Sequence, residues 1–210
     1  MTANSLQAYV GQTRSQALIR RLERHGIGEC VQPGEFPPRR TPWFLDNGAF
    51  RAYSREKPWD ASRFASLLDE AQGYHPPPDF VVAPDIVAGG LDSLELSIRW
   101  APACNALAPV YLAVQDGMDS AALDRALEQA EFAGVFLGGS MPWKGATGSD
   151  WVQRAHQRGL KCHVGRAGTT PMVTWARYIQ ADSLDSSLPL WSFENLSRFV
   201  SALYQELLPL

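Results

Sequence analysis

The chain has no apolar run of about 18 residues, the length that a membrane-crossing helix requires. Its opening residues, Met1-Thr2-Ala3-Asn4-Ser5, carry no basic patch ahead of an apolar stretch, so no export signal is expected and a cytoplasmic location is. Cysteine is scarce. Cys30, Cys104 and Cys162 are odd in number and widely spaced, which excludes a Cys-x-x-Cys zinc site and fits free, buried thiols in a reducing compartment. His25, His75, His156 and His163 are scattered, so no metal-ligand set is visible, and a single histidine of this kind reads as a surface or core residue. An excess of basic charge is lacking too. The net charge of −3 argues against a generally basic nucleic-acid binder, although residues 1–60 hold 9 Lys+Arg against 6 Asp+Glu.

What is present suits an ordinary globular protein: 45% hydrophobic and 20% charged residues in a chain of 210, enough for one substantial core and read as a single domain over 1–210. Strand-like runs and helical periodicities alternate. The strand candidates are Gln7 to Gly11, Glu29 to Gln32, Trp43 to Leu45, Phe80 to Asp85, Val110 to Gln115, Gly134 to Gly139, Lys161 to Gly165 and Asp182 to Ser186. Helices are expected over Arg14 to His25, Ser62 to Gln72, Leu91 to Leu107 with a bend or break near Pro102, and Ser120 to Phe132. Three more are expected over Asp150 to Arg158, capped by Ser149 or Asp150, then Thr170 to Gln180 and Asn195 to Leu208. The connection from Pro33 to Pro42 holds four prolines and should carry no helix. Alternation implies parallel strands, and eight of them predict an α/β fold of the (β/α)8 TIM-barrel kind, compact and with one crossover helix missing. A doubly wound open sheet is the structural alternative.

In such a barrel the chemistry sits at the C-terminal ends of the strands. Those ends read Leu45-Asp46, Pro84-Asp85, Val114-Gln115-Asp116, Leu137-Gly138-Gly139-Ser140, Val164-Gly165-Arg166 and Leu184-Asp185. One acid after a strand is usually a cap or turn former; three in one sheet, each directly after an apolar run, point to a site. On the eighth strand, Asp182 and Asp185 are three apart and face opposite ways, and Asp185 lies nearer the mouth. Paired carboxylates suit one nucleophile or charge stabiliser and one proton shuttle.

The ordered series Asp46-Asn-Gly-Ala-Phe50, Pro84-Asp85, Val114-Gln115, Gly138-Gly139-Ser140, His163-Val-Gly165 and Asp182-Ser-Leu-Asp185 resembles the tRNA-guanine transglycosylase superfamily, in particular its short DNA-modifying members, the deazapurine DNA-modification (DpdA-like) proteins. The resemblance implies a barrel that replaces guanine in DNA with a 7-deazaguanine base such as preQ0, through a covalent aspartyl–sugar intermediate and without a cofactor or metal. It casts Asp185 as nucleophile and Asp46 as general acid/base. Phe50 and Val164 would flank the base, Asp85 and Gln115 would read its edge, and the backbone at Gly138, Gly139, Ser140 and Gly165 would line the pocket. The superfamily's zinc subdomain and basic stretch are missing after Asp185, where Ser186-Ser187-Leu188-Pro189 follows, so DNA is favoured over tRNA. Arg39, Arg40, Arg51, Arg55, Lys57, Lys144 and Arg166, in loops expected near the mouth, are the candidates for contact with the nucleic-acid backbone, each weighed against a solvated surface charge. A nucleosidase releasing a 7-deazaguanine and a non-catalytic binding module are the alternatives, with modification-system partner proteins and a homodimer as further partners.

Overall fold

The computed structural model describes residues 6–205. The strands are β1 (Gln7–Val10), β2 (Gly28–Val31), β3 (Trp43–Leu45), β4 (Val81–Val82), β5 (Val110–Val114), β6 (Gly134–Leu137), β7 (Lys161–Val164) and β8 (Ser183–Ser186). They follow one another in chain order around a closed parallel barrel, with β1 pairing β8 at Tyr9 and Asp185. Helices α1 (Gln16–Arg24), α2 (Ala49–Tyr53), α3 (Ala61–Ala71), α4 (Leu91–Asn105), α5 (Ser120–Gln129), α6 (Met141–Gln157), α7 (Thr170–Tyr178) and α8 (Phe193–Tyr204) form the connections and the outer layer, with a 3₁₀ turn at Leu188–Leu190. This is the expected (β/α)8 TIM barrel, and its second crossover carries no helix. Among the described residues no helix is long and apolar enough to cross a membrane.

The period-two alternation of each strand sends one set of side chains outward and one inward. Val10, Val31, Leu45, Leu112, Leu137, Val164 and Leu184 belong to the large core between barrel and helices. The barrel interior is filled by Tyr9, Cys30, Phe44, Phe80, Val82, Tyr111 and Ala113, with Phe136 packed against them. Phe44 stacks on Phe80 at 4.6 Å and Phe80 on Tyr111 at 4.0 Å, so aromatic rings plug the barrel. Glycines on neighbouring strands make the room. A Cβ on Gly28 would lie 2.5 Å from the Tyr9 ring, and one on Gly134 2.6 Å from that of Tyr111.

Where the second crossover lacks its helix, the outward face of β2 holds a charge. Glu29 is fully buried beneath the connecting loop, its Oε2 accepts from the Arg39 backbone N–H at 2.6 Å, and the Arg40 guanidinium lies 3.1 Å from its Oε1. Both side chains of the Glu29–Arg40 pair are sealed from solvent.

Several boundaries differ from expectation. Helix α6 begins at Met141, some nine residues early, because the Ser140 side chain caps the Trp143 N–H and Pro142 suits a first turn. It runs through Gly148 because the Trp175 ring packs there; a Cβ would lie 2.6 Å from that ring. Helix α4 continues through Pro102 to Asn105; Pro102 forfeits its own bond to the preceding turn, and the burial of Ala101 and Cys104 beside it holds the last turn in place. Strand β4 is cut to Val81–Val82, for Pro84 has no N–H to extend it. Residues 206–208 of the expected last helix, and Met1 to Ser5, lie outside the described residues.

Candidate active site

Asp46 leaves β3 at the C-terminal rim. Its Oδ1 accepts from the Gly48 N–H at 2.6 Å, a tight turn that Gly48 completes at φ +74° while capping α2. Asn47 is buried and holds this rim together: its Nδ2 donates to Ala83 O at 2.7 Å and to Asp85 Oδ1 at 2.9 Å, and its carbonyl accepts from Trp59 Nε1 at 2.8 Å. Burial pushes the Asp46 carboxyl up to about 7, with Asp185, Asp85 and Glu35 adding to the rise and the Gly48 N–H opposing it. Burial likewise raises Asp85 to about 6, against the Asn47 amide. A carboxyl that titrates near neutrality can both give and take a proton in water.

Asp185, on β8, points inward above the aromatic plug. His163 on β7 points inward as well, its Nε2 lying 3.1 Å from Asp185 Oδ1 and its Nδ1 2.8 Å from Ser183 Oγ. Burial lowers the imidazole pKa, with Asp185 pulling the other way. A neutral ring between these partners is satisfied when Nε2–H donates to the carboxylate and Nδ1 accepts from the serine hydroxyl. The ring stacks on Phe136 at 4.9 Å, which fixes its plane. Asp46 and Asp185 also both raise the buried Cys30 thiol, below burial itself in effect, which puts the two acids over one interior wall.

Across the same C-terminal rim, Ser140 donates its backbone N–H and its hydroxyl to Asp116, at 2.6 and 2.7 Å. Burial of Asp116 works against its ionisation, but those bonds and the Arg166 charge outweigh it and hold the carboxyl below its usual range. Arg166, at φ +58°, lays its guanidinium 4.2 Å over the Phe50 ring and donates to Gly139 O. Lys144 is fully buried and donates to Gly165 O at 2.5 Å. Burial and the Arg166 charge push its ammonium down to about 7, against the pull of Asp185 and Asp116.

The structure thus brings Asp46, Asp85 and Asp185 to one end of the barrel, with Phe50 half-exposed beside them. Other expected site residues are engaged otherwise. Val164 is wholly buried in the outer core, because on its strand His163 takes the inward place. Gln115 is buried and fully bonded: its amide donates to Ile86 O at 2.8 Å, Ser93 Oγ at 2.7 Å and, at 3.4 Å, Asp85 Oδ2, and its oxygen accepts from the Ala88 N–H at 2.5 Å. It fastens the loop after β4. Gly138 donates to Val114 O, Gly165 to Leu137 O, and the Ser140 N–H is held by Asp116. A Cβ on Gly139 would lie 2.6 Å from Trp143, and one on Gly165 2.7 Å from Phe136, so both glycines serve close packing.

Among the cations, two corrections stand out. Arg40 lies in the connecting loop but its side chain is sealed in the pair with Glu29, and Lys144 is inside α6 with its ammonium turned to the barrel, so neither offers its charge to solvent. Arg39, Arg51, Arg55, Lys57 and Arg166 do reach the surface, although Arg51 bonds Glu35 at 2.8 Å and the Arg39 guanidinium lies 5.2 Å from the Phe36 ring. The sequence had suggested a surface or core residue for His163 and a nucleic-acid backbone contact for Lys144, whereas both side chains are buried at the barrel mouth beside Asp185 and Gly165. The signal for His163 was its alternation with outward Cys162 and Val164, which puts it on the same face as Asp185 of the neighbouring strand. Among the described residues no group of three or more His, Cys, Asp or Glu side chains could hold a metal.

No protein-family model matches the sequence, and no curated protein does. Among solved structures the chain is similar to the 3-hexulose-6-phosphate synthase from Salmonella typhimurium, with 12% identity, a TM-score of 0.55, and coverage of 95% of this chain and 99% of that one. At that identity the likeness speaks for the barrel alone, and the same barrel serves a different activity there. Guanine exchange in DNA, with the deazaguanine-release and deazaguanine-binding readings set beside it, is therefore corrected: strand-end acids on a barrel do not select that chemistry. The chain is a (β/α)8 barrel with an acid-lined C-terminal rim.

Proposed function

We propose that the chain is an enzyme that performs general acid–base catalysis on a small polar molecule at this rim. The observation that carries the reading is the convergence of Asp46, Asp85 and Asp185 on one end of the barrel, with Asp185 braced by the buried His163–Ser183 pair. Asp46 is the proton-transferring group, for its desolvated carboxyl changes charge near neutral pH. Asp185 is the fixed acceptor: its position is locked from below by His163, and it faces the substrate as a nucleophile or as the counter-charge to positive charge developing at the reacting centre. Asp85, tied to the Asn47 amide, orients polar hydrogens of the substrate. The Phe50 ring, backed by Arg166, offers an apolar wall to one side.

A panel of small phosphorylated and unphosphorylated polyols, keto acids and lactones, followed by proton NMR in D₂O, tests this. The wild-type chain should turn over or exchange protons on at least one member, and Asp46→Asn and Asp185→Asn should each lower kcat/KM by about a hundredfold or more. Full activity in both variants would remove the acids from the mechanism.

A further inference from the structure

Next to the rim lies a cavity of about 210 Å³ that the acid–base machinery does not use. It opens between α2 and the start of α3, and its wall on the barrel side is the Asn47-Gly48 turn that also carries Asp46. Its lining is strongly cationic. Arg51, Arg55, Lys57 and Arg63 face it together with a single acid, Asp60, for a local balance of +3 from four cations and one carboxylate. That stands out in a chain whose net charge is −3.

The acids nearby do not cancel the cluster. Asp60 is committed as the cap of α3, accepting from the Arg63 N–H at 3.1 Å and from Ser62 Oγ at 2.7 Å, and the Arg63 guanidinium lies 3.8 Å from it. Glu35 pairs with Arg51. Arg55 and Lys57 make no ion pair or side-chain hydrogen bond among the described residues. The backbone is bent to present them: Glu56 takes φ +54°, a left-handed conformation that a non-glycine side chain adopts at a cost, and the turn it makes sends Lys57 N–H back to Ala52 O. Two unpaired cations held on a strained turn, over a cavity with a volume of its own, describe a receptor for an anion.

We infer that this cavity binds a phosphate group carried by the substrate. Its size suits one phosphate and the atoms next to it. Gly48 has no side chain, so the partition between the cavity and Asp46 is one backbone thick, and Trp59 ties cavity to rim through its bond to the Asn47 carbonyl. A substrate anchored by its phosphate here places its polar end against the carboxylates. As an assignment of substrate class this rests on the acid–base reading above, but binding of the anion does not.

The test separates the two. Inorganic phosphate is titrated into the full chain at low ionic strength, with the Trp59 indole N–H as the NMR reporter. Saturable binding is expected, weakened about tenfold in Arg55→Ala/Lys57→Ala and weakened by added salt. Asp46→Asn should bind phosphate as the wild type does while losing turnover. Equal affinity in the double variant, or no saturation up to about 50 mM phosphate, overturns the inference. So does binding of a single-stranded oligonucleotide through Arg55 and Lys57 when phosphate itself does not bind, since the cavity would then follow a polymer backbone. Both side chains are exposed, and an unchanged Tm in the double variant confirms that the fold is intact.

Discussion

Replacing Asp46 by Asn should abolish the chemistry and stabilise the fold at alkaline pH. Asp46 has a folded-state pKa of about 7 against 3.8 for the free side chain. The native state therefore holds this proton more tightly than the unfolded state. Native stability is greatest below pH 4 on this account, falls by about 1.36 kcal/mol for each pH unit up to about 7, and levels off above it. The full interval corresponds to about 4 kcal/mol; because Asp46 is half-buried and meets water at the mouth, about 2–3 kcal/mol of it should be realised. An Asn side chain keeps an oxygen for the Gly48 N–H and carries no charge to desolvate. Urea denaturation followed by tryptophan fluorescence, at pH 5 and pH 8, reads the effect. The stability gap in favour of Asp46→Asn should widen by about 2 kcal/mol between these pH values, with m unchanged. A gap that stays flat, or that favours the wild type more as pH rises, would refute the claim that burial holds this carboxyl near neutrality. A destabilising group kept at a strand end is what a trade of stability for activity looks like.

Further outcomes follow from other parts of the barrel. Arg40→Met strands a buried carboxylate and should cost about 3–5 kcal/mol, seen as a fall in Tm of about 10 °C, while Glu29→Leu/Arg40→Met should recover most of it; neither change should alter phosphate binding. Within α6, Gly148→Ala should destabilise by about 1–3 kcal/mol through its clash with Trp175, whereas Gly145→Ala, with nothing within 4 Å of a Cβ, should stabilise by up to about 1 kcal/mol in the same denaturation assay. His163→Phe keeps the stack on Phe136 but removes both hydrogen bonds, and should lower kcat/KM on the substrate found by the NMR panel at least about tenfold. His163→Gln, which can still donate to Asp185, should retain more activity and the wild-type pH profile; activity kept in His163→Phe and lost in His163→Gln would assign His163 to packing alone.

Much of the barrel was legible because period-two runs, glycine stops and a proline-rich second crossover are local signals, and local signals mark elements well. Asp46, Asp85 and Asp185 were legible for the same reason, each following an apolar run. What was not legible depends on partners distant in sequence. The Glu29–Arg40 pair looks like two surface charges until the helix-free β2–β3 loop folds over them. Lys144 looked like a loop cation because the helix was expected to begin only at Asp150, whereas the Ser140 cap starts it at Met141 and the Trp175 ring packs on it at Gly148. Gln115 and Val164 matched motif positions, yet Gln115 spends its amide on the loop after β4 and on Asp85, and the outward register of Val164 takes it from the mouth.

The behaviour of the acids is set by what lies under them. The stacked rings of Phe44, Phe80 and Tyr111 fill the barrel interior with apolar surface, and His163 packs on this plug at 5.1 Å from Phe44 and 5.3 Å from Phe80. Carboxyls seated on such a floor are desolvated from one side and compete with one another on the other, so a proton is retained near neutral pH. The two tyrosine rings fit only because Gly28 and Gly134 give them space. Two glycines at the far ends of short strands thereby help to decide the protonation of a carboxyl at the mouth, and the fold and the chemistry are one problem of packing.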